Sequence, residues 1–275
     1  MRAFVLSGGA NYGAQQVGAL EALFEYGLQP DMLMGVSAGA LNAAWVAQQP
    51  SLDGVHELAR IWREDAVAAM PQVGPLTALF RLVGGKDSLL SSDSLVQFIR
   101  RWPFAERAFG DFTSPRLYTV AANFDTGALR VFGDDPRDRL LDGLMASTAM
   151  PPYYPPWEVA GVPYLDGGVI SHLPLEAAIE RGAVEIYALR NGPGDTPDPV
   201  PTPRNVLSVG AQAISLLINR QAQMEIKAVQ HNRSVQLHLI ELYTADAPAL
   251  WNFTRAAEMI DAGRRITIEY LRNHR

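Results

Sequence analysis

Asp31-Met32-Leu33-Met34-Gly35-Val36-Ser37-Ala38-Gly39-Ala40-Leu41-Asn42-Ala43-Ala44-Trp45-Val46 runs from an apolar strand through a turn of small residues into an apolar helix. The glycines at 35 and 39 and the alanine at 38 let the backbone bend sharply and pass close to the Ser37 hydroxyl, which is the layout of a nucleophile elbow. The same turn sets Ser37 at a helix N-terminus, where N–H groups without intrahelical partners favour developing negative charge. A Gly-x-Ser-x-Gly run alone is weak evidence. Here the strand before it and the helix after it both agree, and Ser37 is the candidate nucleophile.

Upstream, residues 2–6 read as a buried strand, 7–13 as a glycine-rich loop, and Ala14 to Tyr26 as a helix with Val17, Leu20, Leu23 and Phe24 at helical spacing, ending near Gly27. The second strand covers 31–34 and the second helix 38–48, stopped by Gln49-Pro50. Strand, helix, strand with short loops implies a parallel crossover. Downstream, 54–67 reads as a helix. The segment 70–110 is broken by Pro71, Gly74, Pro75, Gly84 and Gly85, with a helix from Ser94 to Arg101. It is expected to be a helical layer packed on the sheet with its charges in water; the alternative is a cap or membrane-facing insertion. Arg116–Phe124 and Ala128–Phe132 read as a hairpin, 183–189 and 234–242 as strands, 191–203 as a loop, and 205–230 and 254–272 as helices.

A chain of 275 residues, 48% hydrophobic, can bury a large core, and one domain spanning 1–275 is expected of an α/β protein of this length. The net charge of −6 argues against a nucleic-acid binder that works by neutralising phosphates. There is no cysteine, so no disulfide, thiolate metal site or catalytic thiol is available. The N-terminal apolar run is too short for a signal segment and no run is long enough to span a bilayer, so a cytoplasmic protein is expected.

A serine nucleophile needs a base and an oxyanion hole. Of the five histidines, His56 opens a helix, His231 lies near a helix end, His274 is in the terminal tail, and His238 alternates within a strand, facing solvent or a neighbour. His172 lies near other candidate chemistry, but it follows a loop and does not stand out as a triad member. A carboxylate does stand out: Tyr164-Leu165-Asp166-Gly167-Gly168 puts an acid after a short apolar stretch and before two glycines that permit a tight turn. Beside an elbow serine without a histidine, Asp166 is the leading base. Ser7-Gly8-Gly9-Ala10-Asn11-Tyr12-Gly13 joins the first strand to the first helix, where clustered amides suit an anion. Its glycine spacing fails the dinucleotide fingerprint, and no Gly-Lys-Ser/Thr follows for a P-loop.

Four blocks in order resemble the patatin-like phospholipase family: Leu6–Gly13, Gly35–Ala43, Ala146-Ser147-Thr148-Ala149-Met150-Pro151 with Tyr154-Pro155-Pro156, and Asp166-Gly167-Gly168-Val169 with Pro174 downstream. The resemblance implies a three-layer α/β/α sandwich with a mainly parallel sheet, and a Ser37–Asp166 dyad without histidine. It also implies an oxyanion hole from the amides of Gly8, Gly9 and Ala10 with that of Ala38, acting on lipid or other ester substrates with no metal or organic cofactor. Peripheral membrane contact follows as an expectation, and the oligomeric state stays open.

Two departures from the family pattern matter. Ala10 stands where a third consecutive glycine is usual, and a positive φ there would cost an alanine roughly 1–2 kcal/mol. Tyr12 stands where Arg or Lys is usual, which favours neutral esters over tight recognition of a phospholipid headgroup. These departures motivate a second reading, a protein of this fold that binds lipid or protein with little hydrolysis. A third reading is a triad hydrolase using His172, though His172 is expected instead to lie beside the acid loop and help order it.

Overall fold

The computed structural model describes residues 1–69, 88–192 and 206–274. Its strands are β1 (Arg2–Leu6), β2 (Met32–Gly35), β3 (Arg116–Asn123), β4 (Leu129–Phe132), β5 (Trp157–Val159), β6 (Val162–Asp166), β7 (Glu185–Asn191) and β8 (Gln236–Leu242). They form one sheet in the order β5-β6-β3-β2-β1-β7-β8, with β4 paired to β3. β3, β2, β1, β7 and β8 run parallel, whereas β4, β5 and β6 are antiparallel additions.

The apolar run in β1 is what a strand buried on both faces requires. Phe4 and Leu6 join one core cluster with Leu33 and Leu189, while Ala3 and Val5 join a second with Met32, Met34, Ile186 and Ala188. The first cluster is covered by α1 (Gly13–Glu25), α2 (Ala38–Gln48), α3 (Leu52–Ala69), α4 (Asp93–Arg100), α5 (Leu140–Ser147) and α8 (Ala256–Asn273). The second is covered by α6 (Leu175–Glu180) and α7 (Val206–Gln230). The result is a three-layer α/β/α fold with a mostly parallel sheet, as the resemblance implied.

α1 and α8 meet at backbone distance. A Cβ on Gly18 would lie 1.8 Å from the Ile260 carbonyl oxygen, and one on Gly263 would lie 1.9 Å from that of Gln15. Overpacking such a contact costs about 1–3 kcal/mol and sometimes more. Gly18→Ala is therefore expected to lower the denaturant midpoint with an unchanged m-value; an unchanged midpoint would mean the helices can part without cost.

The expected hairpin at 116–132 is present, its turn held by Asn123 Oδ1, which accepts from the amides of Asp125 and Thr126. Other elements differ from the sequence expectation. The stretch before Asp166 is the second arm of a short hairpin with β5, and residues 140–147 form α5, which was not expected. Both are brief, and their patterns are interrupted by Pro155, Pro156, Pro163, Gly143 and Gly161.

Within the 70–110 segment, residues 70–87 lie outside the described residues, as do 193–203 of the loop at 191–203. Residues 88–110 pack on the core through Leu95, Phe98, Ile99, Trp102 and Phe104, with Trp45 at 5.4 Å from both Trp102 and Phe104 ring centres. Arg100, Arg101 and Arg107 are exposed. Among the described residues no helix is long and apolar enough to cross a membrane. His238 stacks on Tyr187 with ring centres 4.3 Å apart, so its strand position serves packing against a neighbour.

Candidate active site

Sheet register brings two distant residues to one level. Gly35 pairs with Thr119 and Asp166 pairs with Ala121, so Asp166 stands level with the residue two beyond Gly35, which is Ser37. This requires β6 to run antiparallel to β3. Ser37 has φ 56° and ψ −125°, a strained conformation in which a serine is held at the strand–helix turn. The turn is tight enough to exclude side chains at both glycines: a Cβ on Gly35 would meet the Gly39 carbonyl at 2.3 Å, and one on Gly39 would meet the carbonyls of Leu6 and Ser7 at 2.5 Å.

The end of α5 clasps both residues. Ser147 Oγ accepts a hydrogen bond from the Ser37 amide at 3.0 Å, and the Ala149 carbonyl accepts from the Asp166 amide at 3.0 Å. Asp166 is fully buried, and burial pushes its carboxyl up to about 7 against smaller opposing effects of the Ser37 hydroxyl and the Gly168 amide. Asp166 Oδ1 accepts from the Gly168 amide at 2.8 Å. Asp166 Oδ2 has no hydrogen-bond partner among the described residues, and the neighbouring Ser37 hydroxyl favours the ionised carboxylate. Such pairs commonly tighten only when substrate is bound.

The glycine-rich loop splits in function. The Gly8 amide donates to the His172 carbonyl at 3.3 Å and is thereby committed. The amides of Gly9, Ala10 and Ala38 have no acceptor among the described residues. Ala10 takes φ 46°, the left-handed region that the missing third glycine would have occupied without strain. Tyr12, in place of the usual cation, donates its hydroxyl to the Pro248 carbonyl at 3.0 Å.

His172 is buried beside the site: its ring lies 3.1 Å from where a Gly8 Cβ would be. Burial, with Arg190 nearby, drives the imidazole down to about 4, so it is neutral. Among the described residues its Nδ1 has no hydrogen-bond partner, which does not fit a triad histidine held by a carboxylate. Through its carbonyl it anchors the glycine-rich loop, whereas the loop it was expected to help order is the acid loop. Among the described residues no three acidic or histidine side chains gather as a metal cluster.

Ser37, Asp166 and the loop open on a cavity of about 190 Å³. Its walls include Leu41, Trp62, Leu95, Ile218, Trp251 and Phe253. The wall at 248–253 escaped the sequence reading. It is tied to the glycine-rich loop by Asn11, whose Nδ2 donates to the carbonyls of Ala249 and Asn252 and whose Oδ1 accepts from the Trp251 amide. Also unread was Glu225 on α7, raised by burial to about 7, which accepts from Ser171 Oγ at 2.6 Å and ties α7 to the acid loop.

A family model described as Patatin-like phospholipase matches residues 4–179. Patatin-like phospholipase domain-containing protein 7 of Rattus norvegicus is 30% identical over 201 residues, covering 71% of this chain and 14% of that protein. Patatin-like phospholipase domain-containing protein 6 of Homo sapiens is 28% identical over 197 residues, with the same two shares, 71% and 14%. The chain thus spans a small part of the length of these relatives. Among solved structures, VipD from Legionella pneumophila matches with a TM-score of 0.54 at 16% identity, over 99% of this chain and 67% of that one. ExoU in complex with SpcU from Pseudomonas aeruginosa matches with 0.51 at 16% identity, over 99% and 52%. Both are likenesses of fold. The matched span runs from β1 through the elbow and the acid loop into α6, and by that match the chain belongs to the patatin-like phospholipase family.

Proposed function

We propose that the protein is a serine acyl hydrolase that cleaves carboxylic ester bonds of lipids. The observation that carries this reading is the meeting of Ser37 and a buried, proton-hungry Asp166 at one end of an apolar-walled cavity. Ser37 Oγ attacks the ester carbonyl carbon as Asp166 takes its proton. The charge that develops on the carbonyl oxygen is met by the amides of Gly9, Ala10 and Ala38, which have no other acceptor among the described residues. Collapse of the tetrahedral intermediate expels the alcohol, which receives the proton from Asp166. Asp166 then draws a proton from water as the water attacks the acyl-enzyme; the second tetrahedral intermediate breaks its bond to Ser37 Oγ, which takes that proton back from Asp166 as the carboxylic acid leaves. Gly8, expected to donate as well, serves this site by anchoring the loop to His172.

Family membership supports a lipid substrate, and the aromatic and aliphatic walls suit an acyl chain. Ala10 in a strained conformation keeps the second reading, lipid binding with little turnover, in play. A fluorophosphonate probe separates the two. A stoichiometric adduct located on Ser37 by peptide mass spectrometry, and absent from Ser37→Ala, is expected. A folded protein that takes no probe and binds fatty acid without cleaving esters would overturn hydrolysis in favour of binding.

A further inference from the structure

Asn191 closes β7 and is 2% exposed, with its side chain laid against the glycine-rich loop. Its Nδ2 donates to the Gly8 carbonyl at 3.2 Å, and its own amide donates to Ser7 Oγ at 2.8 Å. Ser7 Oγ in turn donates to the same Gly8 carbonyl at 3.0 Å. The carbonyl of the Gly8–Gly9 peptide is therefore held by two donors, the Asn191 side chain and Ser7 Oγ, the second itself oriented by the Asn191 backbone amide. In a trans peptide the N–H points opposite to the C=O. The Gly9 amide is thus turned away from Asn191 and has no acceptor among the described residues, in a loop that lines the cavity.

The preceding peptide is pinned as well, by the Gly8 amide on the His172 carbonyl. Gly9 has φ 148°, and a Cβ there would fall 2.9 Å from Asn191 Cβ, so the loop and Asn191 are in direct contact. The amide orientation of Asn191 is itself dictated: flipping it would set Oδ1 against the Gly8 carbonyl oxygen. The consequence is that Asn191 Oδ1 stays buried without a partner among the described residues, an unfavourable arrangement that folding stability alone does not explain.

We infer that Asn191 is a positioning residue for hydrolysis: it fixes the Gly8–Gly9 peptide plane so that the Gly9 amide is presented to the oxyanion. This rests on the acyl-hydrolase reading above. Asn191 does not touch the reacting atoms in this account; it acts through Gly9.

Asn191→Asp keeps the shape and replaces the donor by an oxygen that repels the Gly8 carbonyl when ionised. Loss of one oxyanion donor typically costs on the order of a hundredfold or more in turnover. With an uncharged short-chain ester, kcat is expected to fall by that order while KM changes by less than about threefold. The ratio of variant to unmutated kcat should climb as pH falls, because a protonated carboxyl again donates to the Gly8 carbonyl. A purely structural role would not produce that recovery. Asn191→Ala, which removes the donor without adding repulsion, should show the same split between kcat and KM and decides the matter if Asn191→Asp does not fold. Turnover within threefold of the unmutated protein in a folded variant, or a rise in KM at constant kcat, would overturn the inference. If the unmutated protein neither labels at Ser37 nor turns over, the failure belongs to the hydrolase reading instead.

Discussion

Ser37→Ala is expected to cut ester turnover by on the order of 10⁴–10⁶-fold, the range seen when a serine hydrolase loses its nucleophile. The fold should survive. The substitution removes one oxygen, keeps the Ser37 backbone bond to Ser147 Oγ, and leaves both elbow glycines in place. Alanine at φ 56° is as strained as serine, so the melting temperature should move by only a few degrees. Residual activity of a tenth or more in a folded variant would remove Ser37 from the mechanism and direct attention to another nucleophile.

Asp166→Asn is expected to move activity and stability in opposite directions. Turnover should drop by on the order of 10⁴-fold because the amide cannot take the Ser37 proton. Stability should rise at alkaline pH. The carboxyl titrates near 7 in the folded protein, above its ordinary 3.8, because burial penalises the anion. Below about pH 4 it is protonated in both folded and unfolded chains and makes no difference. As pH rises from there through 7, the unfolded chain gives up this proton more readily than the folded one, and folding stability declines. Above pH 7 the full shift, on the order of 4 kcal/mol, weighs against the fold. Asparagine removes that cost and its Oδ1 can still accept from the Gly168 amide. Thermal melts should therefore show the variant several degrees more stable at pH 8 and converging with the unmutated protein near pH 4. In the unmutated protein kcat/KM should climb about tenfold per pH unit up to about 7 and then level off. A flat profile from pH 5 to 9 would rule out Asp166 as the base, whereas a variant less stable at pH 8 would contradict the burial cost.

Both effects come from one arrangement. A carboxylate shielded from water is a better base and a worse structural element, and under the proposed mechanism the site accepts the second to obtain the first. The strain at Ser37 and Ala10 and the orphaned oxygens of Asp166 and Asn191 belong to the same pattern, with unfavourable local terms concentrated around one cavity.

What local backbone chemistry controls was legible along the chain. The apolar run of β1 marks a buried strand; Gly35 and Gly39 mark a turn with no room for side chains; Asp166-Gly167-Gly168 marks an acid set before a tight turn. Each of these is written in residues that are neighbours along the chain. Which of these pieces meet depends on the folded arrangement. The antiparallel return of β6 puts Asp166 level with Ser37, the end of α5 clasps both, and the Gly8 amide is spent on His172. Asn191 reaches a loop 183 residues away, and Asn11 holds a wall more than 230 residues distant. Periodicity tells which face of an element is buried but carries no address for its partner. Polar contacts between such distant residues have no local signature, because they form only once the sheet order and register have been set.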